Sequence, residues 1–356
     1  MKQLIYAGAY NQQGEQGITA YGFDEHTGRL YRLLGGGGAA DNPSFAAVDG
    51  DFLYAVNELP GQARVKSYRI DRKSGSLFLL DSMEFQGANM CHITLWPGKR
   101  YLSCANYSSG SFAVIPVEKG KLLQPVCLEQ HHGVGVLCTT RQEAPHIHST
   151  CVSPEGRYLL AADLGLDWVR VMEIDVQTGR MNQAPNGVQI YTPGGEGPRH
   201  MAFGRDGKYL YLITELANHC LIYGWDEKTG NSELVQTVDL LPEGFSGESK
   251  AADIHLSPDG NYLYCSNRGA DTISVFSVTD HDGTLIPVQN VTSHGEFPRS
   301  FAVLEHYILI AARHGNSIIA CCRDPKSGLI GPVIDTVALN QAVFVLPAGP
   351  LEGEVE

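Results

Sequence analysis

The chain has 356 residues, 43% of them hydrophobic and 18% charged, which supplies ample material for a buried core and argues against disorder. Its formal charge is -13, from 39 acidic against 26 basic residues and without a basic run, so neither nucleic acid nor an anionic membrane surface is expected as a partner. No stretch approaches the ~20 apolar residues of a membrane span and the opening MKQLIYAGAY is too short for a signal peptide, so the expected compartment is the cytoplasm.

From the first residues onward one pattern recurs. Leu4 opens LIYAGAY, a copy without its leading half, and the fuller copies follow as DGDFLYA (49–55), PGKRYLS (97–103), PEGRYLL (154–160), RDGKYLY (205–211), PDGNYLY (258–264) and EHYILIA (305–311). Each is a turn running into an aromatic-led apolar strand. Leu53, Leu102, Leu159, Leu210, Leu263 and Ile308 hold the equivalent place, 45 to 57 residues apart. A second signal has the same count: a strand pattern and then a glycine turn, with glycines at 28, 75, 120, 179, 230, 283 and 328. Units of about 50 residues with four short strands each are the signature of radial repetition.

The fold expected is therefore all-β: a seven-bladed β-propeller with four antiparallel strands per blade, forming a single domain over residues 1–356. The first copy lacks an innermost strand, and Gln341 to Leu346 resembles the opening of the other hairpins. That carboxy-terminal strand is expected to complete the first blade and close the ring, which removes exposed sheet edges. Gly35 to Gly38 read as a flexible crossover, 133–143 as a loop and 351–356 as a disordered tail. The nine cysteines are odd in number and lack CxxC spacing, and Cys104, Cys151 and Cys265 lie in apolar strand patterns, as buried thiols in a reducing compartment do.

In such a fold the loop before the first strand of each blade and the loop after the second lie on one face, beside the axial channel. The leading loops bring Asn42-Pro43, Cys91-His92, Pro145 to His148, Gly197 to His200, Ala252 to His255 and Phe297 to Arg299. The trailing loops bring Asn57-Glu58, Asn106-Tyr107, Asp163-Leu164, Glu215 to Asn218, Asn267-Arg268 and Arg313-His314. A strongly acidic chain thus gathers several arginines and histidines at one mouth, a place suited to phosphate or carboxylate. His148 and Glu215 are candidate bases, while Arg199, Arg268 and His200 can stabilise developing negative charge, as ester or lactone hydrolysis requires. Substrate contacts are expected from His146, His200, Asn57, Glu58, Asn106, Arg299 and Arg313, although a polar residue at a blade junction can equally serve to tie loops together, with Asp163 and Asn57 the clearest cases.

There is no GxSxG elbow and no local serine–histidine–acid signature, so attack by water is the simpler mechanism. His146 and His148, two apart on a strand, could share an ion. HExxH is absent, however, and neither a metal nor a cofactor is expected. Gly194 to Gly197 lack the Lys-Ser/Thr of a phosphate loop and read as a plain connection.

Several long segments, NPSFAAV with YAVNE (42–58), ANYSSGS (105–111), PHIHSTCVSPEGRYLLAADLG (145–165), GPRHMAFGRDGKYLYLITEL (197–216) and HLSPDGNYLYCSNRG (255–269), resemble the lactonase family of seven-bladed propellers across essentially the whole chain. Ala9 stands where threonine is usual, and Met90 where proline is frequent. The resemblance implies hydrolysis of 6-phospho-D-glucono-1,5-lactone to 6-phosphogluconate in the pentose phosphate pathway. The family is also similar to a fungal carboxymuconate cyclase whose site is a histidine, two arginines and a glutamate, and the matching positions here are His148, Arg199, Glu215 and Arg268. Another carboxylated or sugar lactone, handled by a lactonase or a cycloisomerase, is the alternative reading, and a non-enzymatic interaction platform is a further one. A small anionic substrate and a monomer or weak homo-oligomer are expected.

Overall fold

The computed structural model describes residues 1–353 apart from 12–14, 138–139 and 185–186. Seven antiparallel sheets follow one another around a ring. In six of them the chain runs outward without a break. Blade 4, for example, passes from Ile147–Val152 to Tyr158–Asp163 to Trp168–Asp175, with two short outer pieces, Arg180–Gln183 and Gln189–Tyr191. The remaining blade closes the ring. Its inner strand is Ala342–Pro350, paired with Lys2–Ala9, then Ile18–Asp24 and Arg29–Gly38. The closure is tight: a Cβ on Gly8 would stand 2.0 Å from the Phe344 ring, so this position excludes a side chain. Among the described residues no helix is long and apolar enough to cross a membrane.

The two repeating sequence signals touch each other in space. All seven turn glycines have φ between +62° and +83°, and most lie against the aromatic that leads the second strand of the preceding blade. Gly179 lies on Tyr101, Gly230 on Tyr158, Gly283 on Tyr209, Gly328 on Tyr262 and Gly28 on Tyr307. The hydroxyls of Tyr101, Tyr158 and Tyr262 also donate to turn carbonyls there. A blade's second strand and its neighbour's outer turn are thus one packing unit, and apolar clusters fill the spaces between adjacent sheets.

Two expected connections differ. Gly37 and Gly38 are not a crossover: they extend the outer strand of the first blade, pairing with Thr19 and Ile18, and Gly37 donates to Gly75 of the next blade. In the expected tail, Leu351 is buried with the core of the first blade, and its N–H and that of Glu352 donate to the carbonyls of Lys2 and Arg72. Residues 354–356 of that tail lie outside the described residues. The described residues of the segment 133–143 form a loop, as expected, while 138–139 lie outside the described residues. Gln142 is fully buried and donates to Leu164 O at 3.0 Å, which fixes the loop against blade 4.

Candidate active site

Every inner strand breaks register with its second strand near the same end. The breaks fall between Pro43 and Phe45, Met90 and His92, Ile147 and Ser149, Pro198 and Met201, Ala251 and Ile254, Pro298 and Ser300, and Ala342 and Phe344. In each case the inner strand carries one residue more than its partner, and such a bulge re-aims a side chain that regular pairing would hold on one sheet face. His148, Arg199 and Arg299 sit in these bulges. The bulges are the devices that re-aim these three basic side chains.

The result is a cavity of about 250 Å³ lined by Glu58, Cys91, Tyr107, Arg141, His148, Glu215, Lys250, Arg268, Phe297 and Arg299. Glu215 directly follows Tyr209–Thr214, the second strand of blade 5, and is the cavity's centre. Its Oε2 accepts from Arg199 Nε at 2.8 Å and lies 2.9 Å from Arg268 Nη2 and 3.6 Å from His148 Nε2. Its Oε1 accepts from Arg141 Nη2 at 2.6 Å. Burial alone would raise the Glu215 carboxyl, but Arg268, Arg199, His148 and Arg141 together hold it well below the usual carboxylate range. It is an anion tied to cations. That leaves it little basicity.

His148 is the opposite case. Burial and then the charge of Arg199 push its pKa well below the ordinary histidine value, so the ring stays neutral and keeps a lone pair. Burial also lowers Arg268, to about 10, even with Glu215 beside it. Across the mouth Arg299 Nη2 donates to Glu58 Oε2 at 3.1 Å, and Tyr10 donates to the same oxygen. The Arg268 guanidinium lies 5.2 Å from the centre of the Phe297 ring.

Beneath this layer the axis is lined by rings. His200 lies 5.4 Å from His148 and 5.0 Å from His92, centre to centre, and Phe45 packs on His92. His200 Nδ1 is 2.9 Å from Asp253 Oδ1, and its Nε2 is 3.1 Å from Arg199 Nη1. Burial and Arg199 lower the His200 pKa to about 4, while burial of Asp253 is outweighed by His255 and His200, which hold that carboxyl low. A neutral His200 facing an ionised Asp253 therefore carries its proton on Nδ1, and its Nε2 accepts from Arg199. His255 Nε2 sits 3.1 Å from the other Asp253 oxygen.

The four residues singled out from sequence and resemblance, His148, Arg199, Glu215 and Arg268, therefore converge: His148, Glu215 and Arg268 line the cavity with Glu58 and Arg299, and Arg199 lies behind the wall on Glu215. His200 lies directly beneath. His146 is outside the cavity: it stacks on Tyr107 at 4.5 Å, and its Nδ1 is 3.1 Å from Tyr107 O, so the two histidines flank one tyrosine and share no opening for an ion. Among the described residues no three metal-binding side chains are grouped. Arg313 packs on Tyr10, behind the wall, and donates to Gln341. Asn57 and Asn106 are not brought to the cavity. Both are fully buried, their amides donating to Asp41 O and Ser111 Oγ, and Asp163 likewise accepts from the backbone of His146. These are ties at blade junctions.

Arg141, Lys250 and Tyr10 escaped the sequence reading. Arg141 belongs to a loop without a repeat to align it. Lys250 precedes the recurrent motif of its blade. The bulges did leave a trace, because Pro43, Pro198 and Pro298 open inner strands with a residue that cannot donate to the ladder.

The description "Lactonase, 7-bladed beta-propeller" matches residues 4–347. The chain belongs to this lactonase family. Among its lactonase relatives, a 6-phosphogluconolactonase of Bacillus subtilis (strain 168) is 32% identical over 354 residues, covering 97% of this chain and 98% of its own. A 6-phosphogluconolactonase of Formosa agariphila is 29% identical, with 91% and 93% covered. Among solved structures, the periplasmic gluconolactonase of Pseudomonas aeruginosa superposes with a TM-score of 0.91 at 32% identity, covering 98% of this lactonase-family chain and 99% of that one.

Proposed function

We propose that this lactone hydrolase converts 6-phospho-D-glucono-1,5-lactone to 6-phosphogluconate. The observation that carries the reading is the charge of the cavity: four cationic side chains, Arg141, Lys250, Arg268 and Arg299, face it against two carboxylates, Glu58 and Glu215, in a protein that is otherwise strongly acidic. A surplus of positive charge in a small recess favours an anionic substrate.

In this mechanism a water molecule attacks C1 of the lactone and His148, neutral before the reaction, accepts its proton. Glu215, 3.6 Å away, offsets the positive charge the ring acquires. The carbonyl oxygen becomes an oxyanion and is met by Arg268, which the Glu215 carboxylate, itself held by the buried Arg199, keeps in place. The C1–ring oxygen bond then breaks and the proton passes from His148 to the leaving alkoxide oxygen, giving an open-chain carboxylic acid that releases its proton to solvent as the carboxylate. His148 is thus the base, and Glu215 its electrostatic partner.

The test is lactone consumption above the spontaneous rate by the purified protein, with phosphorylated and plain glucono-1,5-lactone side by side. Preference for the phosphorylated compound supports the proposal. The Pseudomonas relative is named for gluconolactone, and faster turnover of the plain lactone would favour that second reading.

A further inference from the structure

One cation on the cavity wall has no carboxylate to answer it among the described residues. Arg141, Arg199 and Arg268 share Glu215, and Arg299 is paired with Glu58. The half-buried Lys250 lines the same cavity, and among the described residues no carboxylate lies within ion-pair distance of its ammonium. Its place is fixed by the fold. It is the first residue of the inner strand Lys250–Leu256, it pairs in register with Arg268, and its carbonyl accepts from Arg268 Nε at 3.3 Å. The lysine therefore stands beside the reacting centre on a strand, where its distance from Glu215 does not depend on a loop.

A neutral lactone would leave this charge unanswered. A phosphate supplies the missing anion, and an ammonium with three donors suits it as a compact point charge, whereas the arginines of this wall are committed to carboxylates in directed contacts. We propose that Lys250 is the specificity-determining residue that recognises the substrate phosphate and so separates phosphorylated from plain aldonolactones. This inference rests on the phospholactone reading above.

The experiment measures kcat/KM for 6-phosphoglucono-1,5-lactone and glucono-1,5-lactone with wild type, Lys250→Met and Lys250→Arg, together with inhibition by inorganic phosphate. Lys250→Met keeps the apolar stem and removes the charge. The ratio of kcat/KM for the phosphorylated over the plain lactone is expected to fall about 10- to 100-fold in Lys250→Met, to be largely restored in Lys250→Arg, and phosphate inhibition is expected to weaken in parallel. An unchanged ratio, or an equal loss on both lactones, overturns the assignment. If wild type shows no preference for the phosphorylated lactone, the substrate reading fails on its own. Phosphate inhibition then decides for Lys250: inhibition weakened by Lys250→Met supports an anion subsite there, and inhibition of equal strength in both proteins overturns it.

Discussion

Nη2 of Arg141 lies 2.6 Å from Oε1 of Glu215, so the loop between blades 3 and 4 is tied to a carboxylate that blade 5 supplies. Tyr107 is bound into the same link, 2.9 Å from Arg141 Nη2. The arginine side chain is partly open to solvent, at 35%, and an ion pair so placed contributes little to folding, about 1 kcal/mol or less. Its effect falls on the site. Arg141→Ala is expected to lower kcat/KM about 10-fold while moving the melting temperature by only a few degrees. Steady-state kinetics beside a thermal melt checks both, and a large loss of stability with normal kinetics would contradict this assignment.

Glu215 answers a different question, because its carboxylate is buried among guanidiniums. Removing one member of such a group leaves the others as uncompensated buried charges, at a cost of about 3–5 kcal/mol. Glu215→Ala should therefore lose stability of that order in urea unfolding, and activity should drop at least ~100-fold through disordered arginines and a less supported His148. Glu215→Gln keeps the shape without the charge and should show most of the same loss. Native-like stability in Glu215→Gln would mean that the cations are held by something other than this carboxylate.

Blade number, ring closure and the four converging residues were legible because they sit in the repeat. Tyr158 and Gly230 illustrate why: the aromatic and the glycine recur together since they pack on each other across a blade boundary, and the sequence must preserve both. His148, Arg199, Glu215 and Arg268 lie at strand ends whose position the repeat dictates. Direction within those loops was not legible. Asn57 and Glu58 are neighbours at one strand end, yet one is buried in a junction and the other faces the cavity. His146 and His148 were expected to face one way, but a bulge between Ile147 and Ser149 interrupts the alternation on which that expectation depends. Arg141 was hidden because a loop without periodicity offers no register to read.

Asp253 does not touch the cavity, and its influence on the reaction runs through His200 and Arg199. While Asp253 is ionised, His200 is held with its proton on Nδ1 and its lone pair toward Arg199. Asp253→Asn can present its amide N–H to Nδ1 instead, which moves the imidazole proton to Nε2 and sets two donors against each other at the 3.1 Å contact with Arg199. An unmet donor pair of this kind costs about 1–3 kcal/mol. The expected outcome is a fall of about 10- to 100-fold in kcat/KM, carried mainly by kcat, with an altered acid limb of the pH profile. Kinetics like those of wild type across pH would show that His200 orientation does not matter to Arg199.

The buried histidines also set how the protein responds to acid. His92, His148 and His200 all have folded pKa values below the ordinary ~6.5, that of His200 near 4, because burial and neighbouring positive charge oppose protonation. Between the folded and unfolded values the unfolded chain binds more protons, so stability increases with pH in that window and is lost as pH falls below about 6.5, by up to ~1.4 kcal/mol per pH unit for each such histidine. His255, whose pKa is raised through Asp253 against the effect of burial, acts in the opposite sense: its contribution is present below ~6.5 and fades as pH rises through its folded value. From pH 6.5 toward pH 4 the His255 contribution is constant, so the three lowered histidines set the slope and predict a net decline. Glu215 and Asp253, held low, add a further loss below the usual carboxylate range. Activity should persist further into acid than stability alone would indicate for a histidine base of ordinary pKa, since His148 remains neutral well below pH 6.5. Denaturant unfolding and kcat/KM measured at half-unit steps from pH 4 to 8 check both, and an acid limb centred at or above pH 6.5 would remove His148 as the base.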